Sequence, residues 1–222
     1  MRRQRPRGST TTQAVIEAAL TVVDEVGVEG MTIRRVAEQA GAPPMSLYTH
    51  FSNKNELLDL MYVELASRMY RDQNYESWQT ELFALCTRIR GLLLEHPNWA
   101  PLLSRPAPPL AISLRERVLK LMMAEGATSD QALRALTSAA LVSIGLALVE
   151  LAFKGQDGES ALEKRYGRLK EWIDTQEADG HAATRAAMAK SPRFSLAETF
   201  EYTARALIDG IQADTKRRRD SE

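Results

Sequence analysis

Glycine and proline punctuate the first fifty residues so closely that only short helices fit between them. Gly27, Gly30, Gly41, Pro43 and Pro44 fall in one stretch. Glycine loses the most conformational freedom in a helix, and proline removes a backbone donor. Apolar residues fill the gaps at helical spacing. Val15, Ala18, Ala19, Val22, Val23 and Val26 line one face of a first helix that Gly27 and Gly30 close. Ile33, Val36, Ala37 and Ala40 form the inner face of a second, shorter helix; Thr32 is its N-cap, and Gly41 stands where a left-handed C-terminal residue is wanted. Pro43 and Pro44 cannot continue that helix, but proline suits the first turn of a third, Met45 to Phe51, whose Leu47 and Phe51 face inward. Thr10 with Gln13, and Asn53 with Glu56, have the spacing of helix starts for the first and fourth helices. Leu58, Met61, Tyr62, Leu65 and Met69 make the fourth amphipathic.

The rest of the chain reads as helix as well. The spacing predicts helices over Ser77–Glu95, Leu110–Glu125, Ser129–Lys154 and Ser195–Ala213, with shorter pieces over Leu162–Ile173 and Ala182–Lys190. The Pro-rich stretch Pro97–Pro109 breaks the first two apart, and no strand-like alternation occurs. The expected class is therefore all-α, with a three-helix helix-turn-helix domain at 10–53 and a helical bundle at 54–213. A basic arm, 1–9, contains Arg2, Arg3, Arg5 and Arg7 and no apolar signal core; a basic tail, 214–222, closes the chain. The 29 basic and 29 acidic side chains cancel, which argues against non-specific nucleic-acid binding by the whole surface but permits a local basic face. One cysteine, Cys86, can form neither an internal disulfide nor a cysteine zinc cluster. The least charged window, Ala135–Val149, contains Thr137, Ser138 and Ser143 and is shorter than the roughly 20 residues of a bilayer span. It reads as a buried helix of a cytoplasmic protein, with no membrane association.

Two short helices joined by a glycine turn and braced by longer ones are a helix-turn-helix layout, in which the third helix enters the DNA major groove. Val23-Asp-Glu-Val-Gly-Val-Glu-Gly-Met-Thr-Ile-Arg-Arg-Val-Ala-Glu-Gln-Ala-Gly, followed by Leu47-Tyr-Thr-His-Phe-Ser-Asn-Lys-Asn-Glu-Leu-Leu, resembles the DNA-binding signature of the TetR family of transcriptional regulators. Glu76-Ser-Trp-Gln, Leu94-Glu-His-Pro and the region from Gly126 to Phe153 are similar to the regulatory domain of the tetracycline repressor subgroup. The resemblance implies a repressor that binds double-stranded operator DNA as a homodimer and releases it when a small-molecule effector binds. It implies that Thr32 and Arg34 meet phosphate or the groove edge, that Pro44, Met45, Ser46 and Thr49 face bases, and that Tyr48, His50 and Lys54 hold phosphates. The residue chemistry agrees in kind. The third helix carries no Arg, Asn or Gln, so Pro44 and Met45 would touch thymine methyls, Ser46 and Thr49 would bond several bases, and Arg34 would carry the sharpest preference. Other readings stay open here. Tyr48 could be a buried core tyrosine, His50 could pack against the cap at Asn53, and the N-terminal arginines could be a solvated tail. Lys216, Arg217, Arg218 and Arg219 read as a frayed helix end.

The regulatory half offers no catalytic constellation. His50, His96 and His181 are far apart, and no HExxH, Walker loop or GxSxG occurs. No metal and no cofactor are expected. The position that matches the relative's magnesium-binding histidine is Leu103, which puts metal-tetracycline binding in doubt. The candidate lining of an effector pocket is Trp78, Phe83, Cys86, Trp99, Leu103, Leu119, Met122, Met123, Phe153 and Trp172, large or adaptable side chains of the kind that line bundle cavities. Ser129–Lys154 and Phe194–Ile211 are apolar nearly all round, as a helix buried on both sides must be, and form the expected dimer interface. Two other classes share parts of the pattern: a helix-turn-helix regulator without a ligand, and an enzyme with a site buried in the bundle. Nothing pairs a nucleophile with a base, which weighs against the second.

Overall fold

The computed structural model describes residues 10–71, 75–154, 160–176, 180–190 and 195–219. The basic arm at 1–9 and Phe194 lie outside them. All regular structure among the described residues is helical. The N-terminal unit consists of α1 (Thr12–Gly30), α2 (Ile33–Ala40), α3 (Pro44–Leu47) and α4 (Lys54–Met69). The start of α1 differs by one residue from the expected cap: the Thr11 hydroxyl, rather than Thr10, accepts from the backbone N–H of Ala14 at 3.2 Å. Three consecutive threonines make that register ambiguous in sequence. Gly27 adopts φ 71° and interrupts the regular helix before its last turn. Thr32 caps α2, and Gly41 closes it at φ 64° in the left-handed region. Asn53 caps α4, accepting from the Glu56 N–H at 3.1 Å. The Glu56 carboxylate turns to the N–H of Ser52 at 2.6 Å, and the bond from that N–H is the main reason its pKa lies below the usual value.

The larger unit holds α5 (Trp78–Glu95), a 3₁₀ turn at Pro97–Trp99, α6 (Ala100–Leu103), α7 (Pro109–Ser113), α8 (Glu116–Ala124), α9 (Ser129–Phe153), α10 (Ser160–Asp174), α11 (Ala182–Lys190) and α12 (Leu196–Arg219). The single helix expected over Leu110–Glu125 is two, broken at Leu114–Arg115. Packing explains the break. Ala111 of α7 is buried against Tyr62 and Ala66 of α4, whereas Val118 and Met122 of α8 enter the main core, and one straight helix cannot serve both. The Pro-rich stretch, expected only to break the chain, holds the 3₁₀ turn and α6. At the other end, α12 continues past the expected stop at Ala213 to Arg219.

α9 packs along α5, with α8 and α12 beside it. Its inward face is built of small residues, Ala132, Ala135, Ala139, Ser143 and Ala147, together with Leu136, so the axes approach closely. A full capping box of Thr128 and Gln131 opens it. At 25 residues it is long and apolar enough to cross a membrane by length and composition, so the shortness of its uncharged window is no argument by itself. Its other face is open: Leu133, Leu141, Leu148 and Val149 are 44–65% exposed.

Candidate nucleic-acid interface and buried cavity

The N-terminal unit holds α2 and α3 rigidly from behind. Val36, Ala37, Leu47 and Phe51 join Val15, Ala19 and Val23 of α1 and Leu57, Leu58 and Met61 of α4 in one core. What remains outside is the face expected to read DNA. Met45 is 77% exposed and Tyr48 45%, so Tyr48 is not a core tyrosine; its ring tilts against Phe51 at 5.7 Å. The Arg34 side chain is 85% exposed, with Nε on the Glu38 carboxylate at 3.1 Å. Pro44 opens α3 and is exposed.

The hydroxyls in this face are already directed. Ser46 Oγ donates to the Pro43 carbonyl and Thr49 Oγ1 to the Ser46 carbonyl, both at 2.7 Å. Their hydrogens are used within the turn, so these hydroxyls have only acceptor capacity left. The Thr32 oxygen is engaged at the α2 cap, 3.3 Å from the Arg35 N–H. His50 Nδ1 lies 2.9 Å from Thr12 Oγ1, not against the cap at Asn53, and ties the recognition segment to the start of α1. Lys54 turns inward: Nζ donates to the Met31 carbonyl at 2.8 Å and to that of Val28 at 3.5 Å. It neutralises carbonyls at the C-terminal end of α1, leaving one ammonium proton for any phosphate.

Behind α4 lies a cavity of about 150 Å³. α4 contributes Tyr62, Ala66 and Met69, with Tyr70 just beyond its end; Ile89 of α5 and Leu136, Ala140 and Ile144 of α9 supply aliphatic wall. Leu103 and Ala111 close it from α6 and α7, and Arg115 enters from the α7–α8 break. Thr137 and Leu141 also border the cavity and are exposed, so it opens towards the uncovered face of α9. Burial pushes the Tyr70 phenol up to about 12, with the Arg115 guanidinium pulling the other way.

Of the ten residues expected to line a pocket, the structure brings only Leu103 to this one. Trp78 is buried at the start of α5, where its indole N–H donates to Glu125 at 3.0 Å. Phe83 faces α12, beneath the Arg205 guanidinium at 4.6 Å. Cys86 is buried with its thiol towards the Ala139 carbonyl, and burial raises its pKa. Trp99 is buried and stacked on His96 at 3.8 Å. Met122 and Leu119 belong to the α5–α8–α9 core, Met123 is 42% exposed, and Phe153 is half-buried at the end of α9. Trp172 is half exposed and tilts against His181 at 5.3 Å. Large size does not say which side of a helix meets a void, and most of these faces meet another helix. The missed residues carried weaker signals: Tyr62 and Met69 read as ordinary core, whereas Arg115 is a charge after the apolar run Leu110-Ala-Ile-Ser-Leu. Among the described residues no group of three His, Cys, Asp or Glu could hold a metal ion.

Residues 15–61 match the family model for bacterial regulatory proteins of the tetR family, and residues 72–215 match the tetracyclin repressor-like C-terminal domain. The HTH-type transcriptional repressor DrrR1 of Streptomyces coeruleorubidus is 34% identical over 59% of this chain; the match spans half of that relative's length. The class A tetracycline repressor protein from transposon 1721 of Escherichia coli is 31% identical over 65% of this chain and 69% of its own. Among solved structures, the TetR family protein ActR of Streptomyces coelicolor, in complex with actinorhodin, superposes with a TM-score of 0.70 at 19% identity, covering 92% of this chain and 98% of that one; at that identity the likeness carries the fold alone. Its relatives are transcriptional regulators, which are not enzymes. With both family models matched in order across the helix-turn-helix and the bundle, the chain belongs to the TetR family of bacterial transcriptional regulators.

Proposed function

We propose that this protein is a cytoplasmic, ligand-responsive repressor that binds a palindromic operator as a homodimer and is released by a small, largely apolar effector. One observation carries the reading. α4 buttresses the helix-turn-helix through Leu57, Leu58 and Met61 and walls the cavity through Tyr62, Ala66 and Met69. A ligand in that cavity therefore presses on the helix that positions the DNA-reading face. ActR, which shares this fold, binds actinorhodin in its solved complex, and that supports an effector of this kind. In the dimer, the exposed apolar face of α9, with Leu133, Leu141, Leu148 and Val149, would be covered by the partner, with α12 beside it; Phe200 and Ile208 of α12 are already buried within the protomer. Arg34, Pro44, Met45, Ser46, Tyr48 and Thr49 would meet the operator, with Thr32, His50 and Lys54 fixing the backbone around them. The cavity lining holds no His, Cys, Asp or Glu, so the effector needs no metal from this chain.

The test is reciprocal titration. Operator fragments selected from random DNA should bind as palindromes with half-sites about 34–36 Å apart. Any ligand that occupies the cavity should weaken operator binding, and operator should weaken the ligand by the same factor, about 1–3 kcal/mol. Arg34→Ala should either shallow the salt dependence or relax one base position. Equal ligand affinity for free and DNA-bound protein would leave a regulator without an effector.

A further inference from the structure

The cavity behind α4 contains one charged side chain, Arg115. Five other described arginines of the bundle have a carboxylate: Arg90 pairs with Glu150, Arg105 with Asp59, Arg117 with Glu81, Arg134 with Asp130 and Arg205 with Glu201. Arg115 has no carboxylate partner among the described residues. Its Nε is shielded from solvent and has no hydrogen-bond partner, and the group acting on it from the cavity wall is the Tyr70 phenol, itself a neutral hydroxyl at any ordinary pH. A buried guanidinium donor without an acceptor is a standing cost that a bound oxyanion removes. Guanidinium also matches carboxylate with two parallel bonds where geometry allows, and such charge-assisted bonds are stronger than neutral ones.

The rest of the lining defines the body that carries the anion. Tyr62 and Tyr70 offer ring faces, and Met69, Ile89, Leu103 and Ile144 offer aliphatic wall. The enclosed volume of about 150 Å³ is that of a void able to take a single aromatic ring. A second ring would extend through the opening beside Thr137 and Leu141, towards the partner subunit in the proposed dimer. We propose that the effector is an aromatic carboxylic acid, its ring held between α4 and α9 and its carboxylate bound by Arg115. The proposal rests on the reading of this cavity as the effector site and adds the chemical class of its ligand. It narrows the largely apolar effector to one with a single acidic group.

The test uses two probes of nearly equal shape, 2-naphthoate and 2-naphthamide, titrated calorimetrically into the full-length protein at neutral pH. The acid should bind about tenfold tighter or better, the discrimination expected when one partner of a charge-assisted bond becomes neutral. In Arg115→Gln that preference should collapse to within about threefold, and Arg115→Lys should keep part of it. Circular dichroism would establish that both variants are folded, and the wild-type comparison of acid with amide stands without them. Equal binding of acid and amide by the wild type overturns the acid class while leaving the cavity a binding site. An acid preference that survives Arg115→Gln overturns the role of Arg115. Binding of neither probe, with operator binding intact, overturns both the acid class and the cavity as effector site.

Discussion

Replacing Arg68 by methionine tests the ionic cluster that joins α4 to α1 and to Trp99. Arg68 lies on α4. Its Nη2 reaches both oxygens of Glu17 on α1, at 2.6 and 2.8 Å, and its Nε reaches Glu64 at 2.9 Å. The guanidinium also sits 5.2 Å over the Trp99 ring. Glu64 is the decisive partner because its side chain is 13% exposed, whereas Glu17 is 49% exposed. A hydrogen bond to a charged, largely desolvated group contributes about 1.5–3 kcal/mol. The pair with half-solvated Glu17 adds at most about 1, and the ring contact about 0.5–1. These share one side chain and do not add in full, so we expect a loss of about 2–3 kcal/mol, with methionine keeping the packing of the arginine stem. The pH dependence has a definite sign. Burial alone would raise the Glu64 pKa, but the Arg68 bond and charge bring it below its ordinary value. A depressed folded pKa contributes stability that is complete above the unfolded value, about 4.3, and is lost as pH falls through the folded one. Urea unfolding at fixed protein concentration should therefore show the full difference between wild type and Arg68→Met from pH 7 to 5, and a smaller one below pH 4. A difference under about 0.5 kcal/mol at pH 7, or one unchanged at pH 3.5, would refute the reasoning.

Gly41→Ala should cost about 1–2 kcal/mol in the same unfolding assay, because φ is 64° and a Cβ there meets nothing within 4 Å, so the strain is purely of the backbone; a neutral substitution would contradict that geometry. Changing both Leu133 and Leu148 of α9 to glutamate should raise the dimer dissociation constant by about a hundredfold or more, read by light scattering across a dilution series. An unchanged dimer would move the interface elsewhere.

The helix-turn-helix was nearly complete in the sequence because its signals are local. Gly41, Thr32 and Asn53 do in the structure what their residue types dictate, and Leu47 and Phe51 face inward at their four-residue spacing. The difference there is one of register, Thr11 for Thr10, while the turn of Lys54 back to the Met31 carbonyl is long-range geometry that no local signal carries. The cavity was hardly legible. Its wall is assembled from five helices and a break, and a void is a property of how faces miss one another, not of any one face. Trp78, Cys86 and Met122 have the composition of pocket residues and pack as core. Leu103 was found through family resemblance rather than periodicity. Arg115 was visible as a residue but not as a site, because its meaning depends on the absence of a carboxylate nearby among the described residues.

The attachment of the DNA-reading unit limits how an effector could act. Beyond the core it shares with α4, α1 is held by polar contacts at two points. Arg68 grips Glu17, and His96 Nδ1 lies 2.9 Å from Asp24, whose backbone carbonyl also accepts from Asn98 at 2.8 Å. Glu17 and Asp24 are seven residues apart, two turns along one helix face and about 10 Å along the axis. The elements that make these grips also wall the cavity: α4 carries Arg68 with Met69, and the segment with His96 and Trp99 runs on into Leu103 of α6. A single joint would let the unit pivot freely, but two joints on one face make it follow any relative displacement of α4 and α6. Releasing it would mean breaking both grips and also parting Val15, Ala19 and Val23 from the core they share with α4, where burial contributes about 1.5–3 kcal/mol for each valine. That is at or beyond the top of the 1–3 kcal/mol range of ordinary allosteric coupling. Rigid reorientation with both grips intact is thus the less costly response to a filled cavity, and in a dimer it changes the separation of the two α3 segments, which must match the groove repeat for both half-sites to be read.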